Sequence, residues 1–304
     1  MKNRRVDYWT LAEDANRPND RDAQLRILFV GNSFIHYNGG AEKVVAGLLE
    51  ESLGKSVYAR RYCPGGYTWR QHLGDAKNPN RSLYRLLGEG GKKHWDYVIF
   101  QEQSQAPALG GRDTQGSFEA LEGLMKYAKA RSSHQILLMT WGYVNGDAVE
   151  HPAIFPDYHA MQERLTAGYR SLAERVRTTL HMNVTTAPAG LAWQQVHRMS
   201  LGSAAEELPQ GRESFHALYY KDGIHPSAIG TYLESCVMSS VISGCKTSGL
   251  KSNILGLSAV WRHMLQQVAD NVVFNSAMGE VPVAQAQCLA ADQTQEPDTR
   301  KEAG

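Results

Sequence analysis

Three side chains in this sequence have types and surroundings suited to nucleophilic chemistry: Ser33, Asp222 and His225. A serine hydroxyl becomes a useful nucleophile when an imidazole takes its proton. The imidazole does so best when a carboxylate fixes its tautomer and stabilises its charged form. Asp222 and His225 stand three apart in Lys221-Asp222-Gly223-Ile224-His225-Pro226-Ser227, just ahead of an apolar helical run. That spacing, with Gly and Pro restricting the turn, lets the two side chains meet at hydrogen-bond distance. Ser33 lies in Gly31-Asn32-Ser33-Phe34, on the turn that follows the apolar run Leu25–Val30. A hydroxyl there is exposed beside unpaired backbone N–H groups at a helix start, which suit an oxyanion. Each segment also has a plainer reading: a turn serine that caps a helix, or a loop aspartate beside a capping histidine.

Two further segments hold groups that suit a developing negative charge. Cys63-Pro64-Gly65-Gly66-Tyr67-Thr68 follows a second apolar run, and glycine lets backbone approach a ligand closely. Gln101-Glu102-Gln103-Ser104-Gln105 follows a third, and its side-chain amides are hydrogen-bond donors for an oxyanion. Asp96 reads as a strand cap, and Glu102 as a glutamate on a surface loop. Trp141, Tyr143 and Trp193 follow strand-like segments and are candidates for a cleft wall or for core packing. Asn32, Trp141 and Tyr143 are taken as candidate substrate contacts. His36, His72, His151 and His159 lack metal spacing such as His-Glu-x-x-His, so no metal is expected. No Gly-x-Gly-x-x-Gly or Walker sequence occurs, so nucleotide binding has no support.

The elements that must carry these groups alternate. Apolar runs predict strands at Leu25–Val30, Val57–Tyr62, Trp95–Phe100, Ile136–Thr140 and Val184–Ala187. Helical spacing predicts helices at Glu42–Leu53, Phe118–Ala130, Tyr158–Leu180, Pro226–Ser243 and Leu255–Val273. This order implies an α/β fold, a three-layer α/β/α sandwich on a mainly parallel sheet of about five strands. In such a sheet ligands bind beyond the carboxyl ends of the strands, where every segment singled out above falls. Residues 1–24 read as an N-terminal arm, 25–275 as one domain and 276–304 as a polar tail with few apolar anchors.

Composition excludes several classes. The 304 residues include 32 Lys plus Arg and 31 Asp plus Glu, a net charge of +1. No global field draws the chain to nucleic acid or an anionic membrane. No run approaches the ~18 apolar residues that a membrane span needs. Met1–Thr10 is basic and polar without an apolar stretch, so the expectation is a cytoplasmic protein, or a secreted or periplasmic one if a leader was removed. Cys63, Cys236, Cys245 and Cys288 form no Cys-x-x-Cys pair and read as buried thiols, which suits a reducing compartment.

Together, Gly-Asn-Ser after the first strand, glycine after the second, a polar block after the third and Asp-Gly-Ile-His-Pro-Ser before a core helix resemble the SGNH (GDSL-like) hydrolase superfamily. The resemblance spans roughly residues 25 to 245, most of the chain, and implies a flavodoxin-like sheet. It implies Ser33 as nucleophile, His225 as general base and then acid, and Asp222 as the residue that orients His225. It implies an oxyanion hole from the backbone of Ser33 and Gly66, since Gly66-Tyr67-Thr68 looks like the family's Gly-x-Thr. The third block departs: Gln-Glu-Gln-Ser stands where the family has Gly-x-Asn-Asp, and this resembles more closely an uncharacterised subgroup and sialate-acetylesterase-like members with Gln-Gly-Glu there. Gln101 or Gln103 would then supply the amide, Gln101 being slightly favoured, with Gln105 a third candidate. The implied activity is hydrolysis of an ester, an O-acetyl group on a carbohydrate or small polar substrate, without cofactor. A lipase or thioesterase, an acyltransferase and a non-catalytic carbohydrate-binding protein are the alternatives.

Overall fold

The computed structural model describes residues 22–88, 90–91, 94–275 and 288. Five strands, β1 (Leu25–Val30), β2 (Val57–Tyr62), β3 (Trp95–Phe100), β4 (Ser132–Leu138) and β5 (Thr185–Ala187), form one sheet in the order β2-β1-β3-β4-β5. Every pairing is parallel. Ile27 to Val30 and Val98 to Phe100 are fully buried. Central strands of a parallel sheet are covered on both faces, which is why β1 and β3 are apolar without alternation.

The longer helices are α1 (Ala41–Leu53), α2 (Trp69–Lys77), α3 (Gly111–Arg131), α4 (Tyr158–Leu180), α5 (Ala189–Leu201), α6 (Ala228–Ser243) and α7 (Ala259–Asn275). One group joins α1, α5, α6 and α7 through contacts of α6 with the other three. The other joins α2, α3 and α4. The result is the expected three-layer α/β/α sandwich. The chain runs from β1 to β2 on one side and then crosses to β3 on the other. A topological switch point therefore opens between the carboxyl ends of β1 and β3, the place where ligands enter such sheets.

The first three strands and α4 have the bounds read from sequence. β4 begins earlier, at Ser132, because pairing with β3 carries Ser132 into register with Trp95 despite its polar start. α3 starts at Gly111, ahead of the expected Phe118, since its first two turns are polar and lack an apolar stripe. α6 starts at Ala228 because Ser227 caps it, its Oγ accepting from the N–H groups of Ile229 and Gly230. α2 and α5 were not expected. α2 opens with Thr68 and Gln71 exchanging side-chain and backbone bonds as a capping box, and α5 begins directly after Pro188.

The cysteine reading needs one correction. Cys63 and Cys236 are buried thiols, but Cys245 and Cys288 form a disulfide across 43 positions. The pairing depends on Cys288 lying beside Cys245 in space, which spacing along the sequence does not encode. The expected arm, residues 1–24, lies mostly outside the described residues, as does the expected tail apart from Cys288. Among the described residues no helix is long and apolar enough to cross a membrane.

Candidate active site

β1 delivers Ser33. Val30 ends the strand and Asn32 caps the single helical turn Ser33–His36, its side chain accepting from the N–H of Phe34 at 3.2 Å. The Asn32 amide also donates to the carbonyl of Tyr67 at 3.0 Å, joining the β1 turn to the β2 loop. Below it, His72 of α2 donates from Nε2 to the carbonyl of Gly31 at 2.8 Å. Burial pushes the His72 imidazole down to about 3, so it stays neutral and serves as a fixed strut.

The segment ahead of α6 delivers the other two groups. Asp222 Oδ1 accepts from the backbone N–H groups of Ile224 and His225 at 2.9 and 3.0 Å. Its Oδ2 lies 2.8 Å from His225 Nδ1, and His225 Nε2 lies 2.9 Å from Ser33 Oγ. Ser33 and His225, 192 positions apart, thus meet in one hydrogen-bonded line with Asp222. Burial pushes the Asp222 carboxyl up, but the two N–H groups and the ring of His225 outweigh it and hold the carboxyl below the usual carboxylate range. The carboxylate therefore stays charged, the form that orients an imidazole.

These three residues border a cleft of about 600 Å³, with Asn32, Gly66, Gln103, Ser104, Gln105 and Tyr143 on its walls and the loop 144–150 across from them. The backbone N–H groups of Ser33 and Gly66 have no acceptor among the described residues, so both remain available to a ligand. Among the described residues neither Lys nor Arg lines the cleft, while Asp147 and Glu150 do. Gln105 Nε2 donates to Asp147 at 2.5 Å and the Tyr143 and Ser104 hydroxyls are 2.6 Å apart. His151, discounted as a ligand in sequence, brings a ring nitrogen within 4.8 Å of carboxylate oxygens of Asp147 and Glu150.

Several sequence expectations change here. Gln101 is fully buried and does not border the cleft. Its Oε1 accepts from the N–H of Asn32 at 2.9 Å and its amide donates to the carbonyl of Glu102, so both ends hold up the Ser33 turn. The first polar residue past a strand still points into the sheet layer, which counting from the strand end did not register. Gln103 does reach the cleft; its amide nitrogen donates to Gln105 Oε1 at 2.8 Å. Trp141 is no wall residue either. It is fully buried between Phe34 and Trp193, with ring centroids 4.7 and 4.0 Å away and near-parallel planes. Its indole N–H donates to the carbonyl of Ile224 at 3.2 Å, bracing the His225 segment from beneath. Tyr143 and Asn32, the other two candidate substrate contacts, line the cleft. Asp96 does more than end its own strand: its carboxylate accepts from the N–H of Arg26 on β1 at 2.7 Å.

Glu102 is not a surface residue. It is fully buried, and one carboxyl oxygen accepts from the N–H groups of Trp69 and Gln103, each at 2.8 Å. It so ties the end of β3 to the start of α2. Burial pushes its carboxyl up to about 7, against the pull of those two N–H groups. Between about 4.5, its ordinary value, and about 7 the folded protein holds a proton that the unfolded chain lacks. Stability consequently falls as pH rises through that window, by an amount on the order of 3 kcal/mol. Glu102→Gln keeps the acceptor oxygen and removes the titration. Urea unfolding at pH 5 and pH 8 should show a smaller drop in the variant than in the wild type; equal drops would place the slope elsewhere.

Tyr37 and Asn38 were missed by the sequence reading. Tyr37 lies flat on the His225 ring, centroids 4.2 Å apart and planes within 6°. The Asn38-Gly39 turn signal was visible, but nothing local to it announces a partner near residue 225.

No protein-family model and no curated protein matches the chain. Among solved structures it is similar to a proposed SGNH hydrolase from Slackia heliotrinireducens, at 24% identity over 71% of this chain and 97% of that one, with a TM-score of 0.53. It is also similar to a DUF4886 family protein from Bacteroides uniformis, at 16% identity over 82% of this chain and 94% of that one, with a TM-score of 0.59. The chain has the SGNH-hydrolase fold.

Proposed function

We propose that the protein is a serine esterase that removes a short acyl group, an acetyl, from a carbohydrate or other small polar alcohol. The observation that carries this reading is the line Asp222–His225–Ser33, with gaps of 2.8 and 2.9 Å, opening into one cleft. The position of that line beside the switch point between β1 and β3 supports the reading. Ser33 Oγ attacks the carbonyl carbon while His225 Nε2 takes its proton. The tetrahedral oxyanion receives the N–H groups of Ser33 and Gly66. Collapse breaks the ester C–O bond, and His225 returns the proton to the departing alkoxide. Water then gives a proton to His225 and attacks the acyl-Ser33 carbonyl. Release of the free acid and return of the proton restore the Ser33 hydroxyl. No step requires a metal or organic cofactor.

The wall chemistry supports a small polar substrate. Amides, hydroxyls and carboxylates offer hydrogen-bond donors and acceptors around the cleft, as a polyhydroxylated alcohol requires. With Asp147 and Glu150 present and neither Lys nor Arg on the wall among the described residues, a neutral or cationic alcohol fits better than an anionic one. A fluorophosphonate probe tests the nucleophile: it should label the wild type and leave Ser33→Ala unlabelled. Nitrophenyl esters of rising chain length test the acyl group, and a preference for eight carbons or more would defeat the acetyl reading in favour of a lipase or thioesterase.

Gln103 is the better candidate for a third oxyanion donor, because it borders the cleft and its amide would have to give up only bonds to the neighbouring Gln105 and Ser104 side chains. Gln103→Leu is expected to lower kcat about 10- to 1,000-fold with KM changed little. Gln101→Leu should instead lower the melting temperature, since it leaves the buried Asn32 N–H without its acceptor. Kinetics and melting curves of the two variants separate the roles, and the reverse assignment follows if Gln101→Leu alone gives the kcat loss.

The Cys245–Cys288 disulfide supports an oxidising compartment over the cytoplasm. Thiol titration of denatured protein taken from its native source, without reductant, should find two free thiols, Cys63 and Cys236, and four after reduction. Four without reductant would favour the cytoplasm.

A further inference from the structure

We propose that Tyr37 and Asn38 form a clamp that sets the His225 imidazole in place over Ser33. The proposal deepens the esterase reading and rests on it for its kinetic part. His225 sits on an irregular segment ahead of α6, and its hydrogen bond to Asp222 fixes one ring nitrogen but leaves rotation about that bond to be restrained. Tyr37 supplies the restraint. Its ring covers one face of the imidazole at 4.2 Å and 6°, while the Phe34 ring meets the imidazole nearly edge to face at 5.6 Å and 73°. Tyr220 in turn meets Tyr37 at 5.9 Å and 71°, so the covering ring is itself held.

Asn38 supplies the second arm. Its amide nitrogen donates to the carbonyl of Pro226 at 3.0 Å and to Thr231 Oγ1 at 2.8 Å. Pro226 follows His225 directly, and Thr231 lies in the first turn of α6. The nucleophile's segment is thereby bolted to the base's segment across 188 and 193 positions. The backbone is bent to make this possible. Asn38, Gly39 and Gly40 all have positive φ, at 56°, 85° and 108°. A non-glycine residue there is unusual, and asparagine is among the few types that adopt it. Strain of this kind persists where surrounding structure over-determines it. Here Arg61 donates to the carbonyl of Gly39 at 2.8 Å while it is ion-paired with the buried Glu42. The bend leads into α1, which Gly40 caps, and it also places Tyr37 and Asn38 against the His225 segment.

The stack also has an electrostatic consequence. When Ser33 gives up its proton the imidazole becomes a cation, and the face of an aromatic ring favours a cation above it. Tyr37 and Asn38 touch no reacting atom; they act through His225 and are positioning residues.

Three variants test the clamp in two independent measurements. In the first, NMR of the His225 ring protons reads the stack without any turnover. Tyr37 should hold those protons upfield by its ring current. Tyr37→Leu should release them, Tyr37→Phe should keep them, and Asn38→Gly should shift them by loosening the ring. Asn38→Gly is chosen because glycine keeps the positive φ and deletes only the two side-chain bonds. In the second, hydrolysis of p-nitrophenyl acetate should show kcat lowered about 5- to 30-fold by Tyr37→Leu with KM changed less than twofold, and restored by Tyr37→Phe. Wild-type ring protons without an upfield shift, or an Asn38→Gly spectrum identical to wild type, would overturn the clamp. So would unchanged kcat in Tyr37→Leu once its stack is lost. If the wild type hydrolyses no ester, the esterase reading fails and the NMR measurement alone decides whether the clamp holds the imidazole.

Discussion

Ser33→Ala and His225→Ala should each lower kcat on a short-chain ester by about 10⁵- to 10⁶-fold, and the double variant should fall no further. The reason is that the two residues perform one act. With a gap of 2.9 Å between Ser33 Oγ and His225 Nε2, the proposed mechanism activates the hydroxyl through the imidazole, and the proton that the imidazole hands to the departing alkoxide is the one it took from Ser33. Removing either removes the same transition-state interaction, so the second loss finds nothing left to remove. Residual rate above water would come from the Ser33 and Gly66 N–H groups and from substrate held in the cleft. The measurement is kcat and kcat/KM for the two single variants and the double variant, with folding checked by circular dichroism. Losses that multiply in the double variant would mean that Ser33 and His225 act in separate steps, and the hydrolytic mechanism would have to be abandoned.

Asp222→Asn should cost about 10⁴-fold in kcat while leaving the fold and KM nearly intact. Asp222 Oδ1 is occupied by two backbone N–H groups, so an asparagine oxygen would take that place and its NH₂ would face His225 Nδ1. An amide donor there demands an unprotonated Nδ1, which drives the ring proton onto Nε2. Nε2 then points a hydrogen at Ser33 and cannot receive one. Burial, the two N–H groups and the imidazole together leave the native carboxyl below its usual range, so the oriented form persists through mildly acidic solution. Its contribution would be lost only as pH falls through that lowered value. The variant should recover rate toward higher pH, where the general-base route gives way to direct hydroxide attack. A loss under tenfold at neutral pH would remove Asp222 from the mechanism and leave it as the turn-forming residue that its bonds to Ile224 and His225 also describe.

Much of this site was legible along the chain because its parts depend on local rules. Ser33 follows a strand whose apolar run is unbroken, and Asp222 and His225 share one turn closed by Pro226 and the Ser227 cap. Alternating runs that bury both faces of β1 and β3 leave few choices besides a parallel sheet, and a parallel sheet gathers its strand ends on one edge. Reading failed wherever the deciding interaction joined distant segments. Gln101 and Gln103 differ by two positions, and the sequence slightly favours Gln101, yet Gln101 is buried beneath Asn32 and Gln103 borders the cleft. Glu102 reads as a solvated loop residue until α2, which was also missed, is seen to present its first N–H to that carboxylate. Trp141 looks like a sugar platform until Phe34 and Trp193 close over both its faces.

Residue type and short-range spacing point to the candidate reactive groups, the elements that carry them and the edge of the sheet they share, because propensity, capping and burial act within a few residues. Distances between segments far apart in the chain belong to packing. The approach of Ser33 to His225, the Tyr37 ring over the imidazole, the Asn38 bridge to Pro226 and the Cys245–Cys288 bond all exist because the two helix layers close the sheet in one arrangement. In a close-packed interior that arrangement leaves each side chain a single place to go.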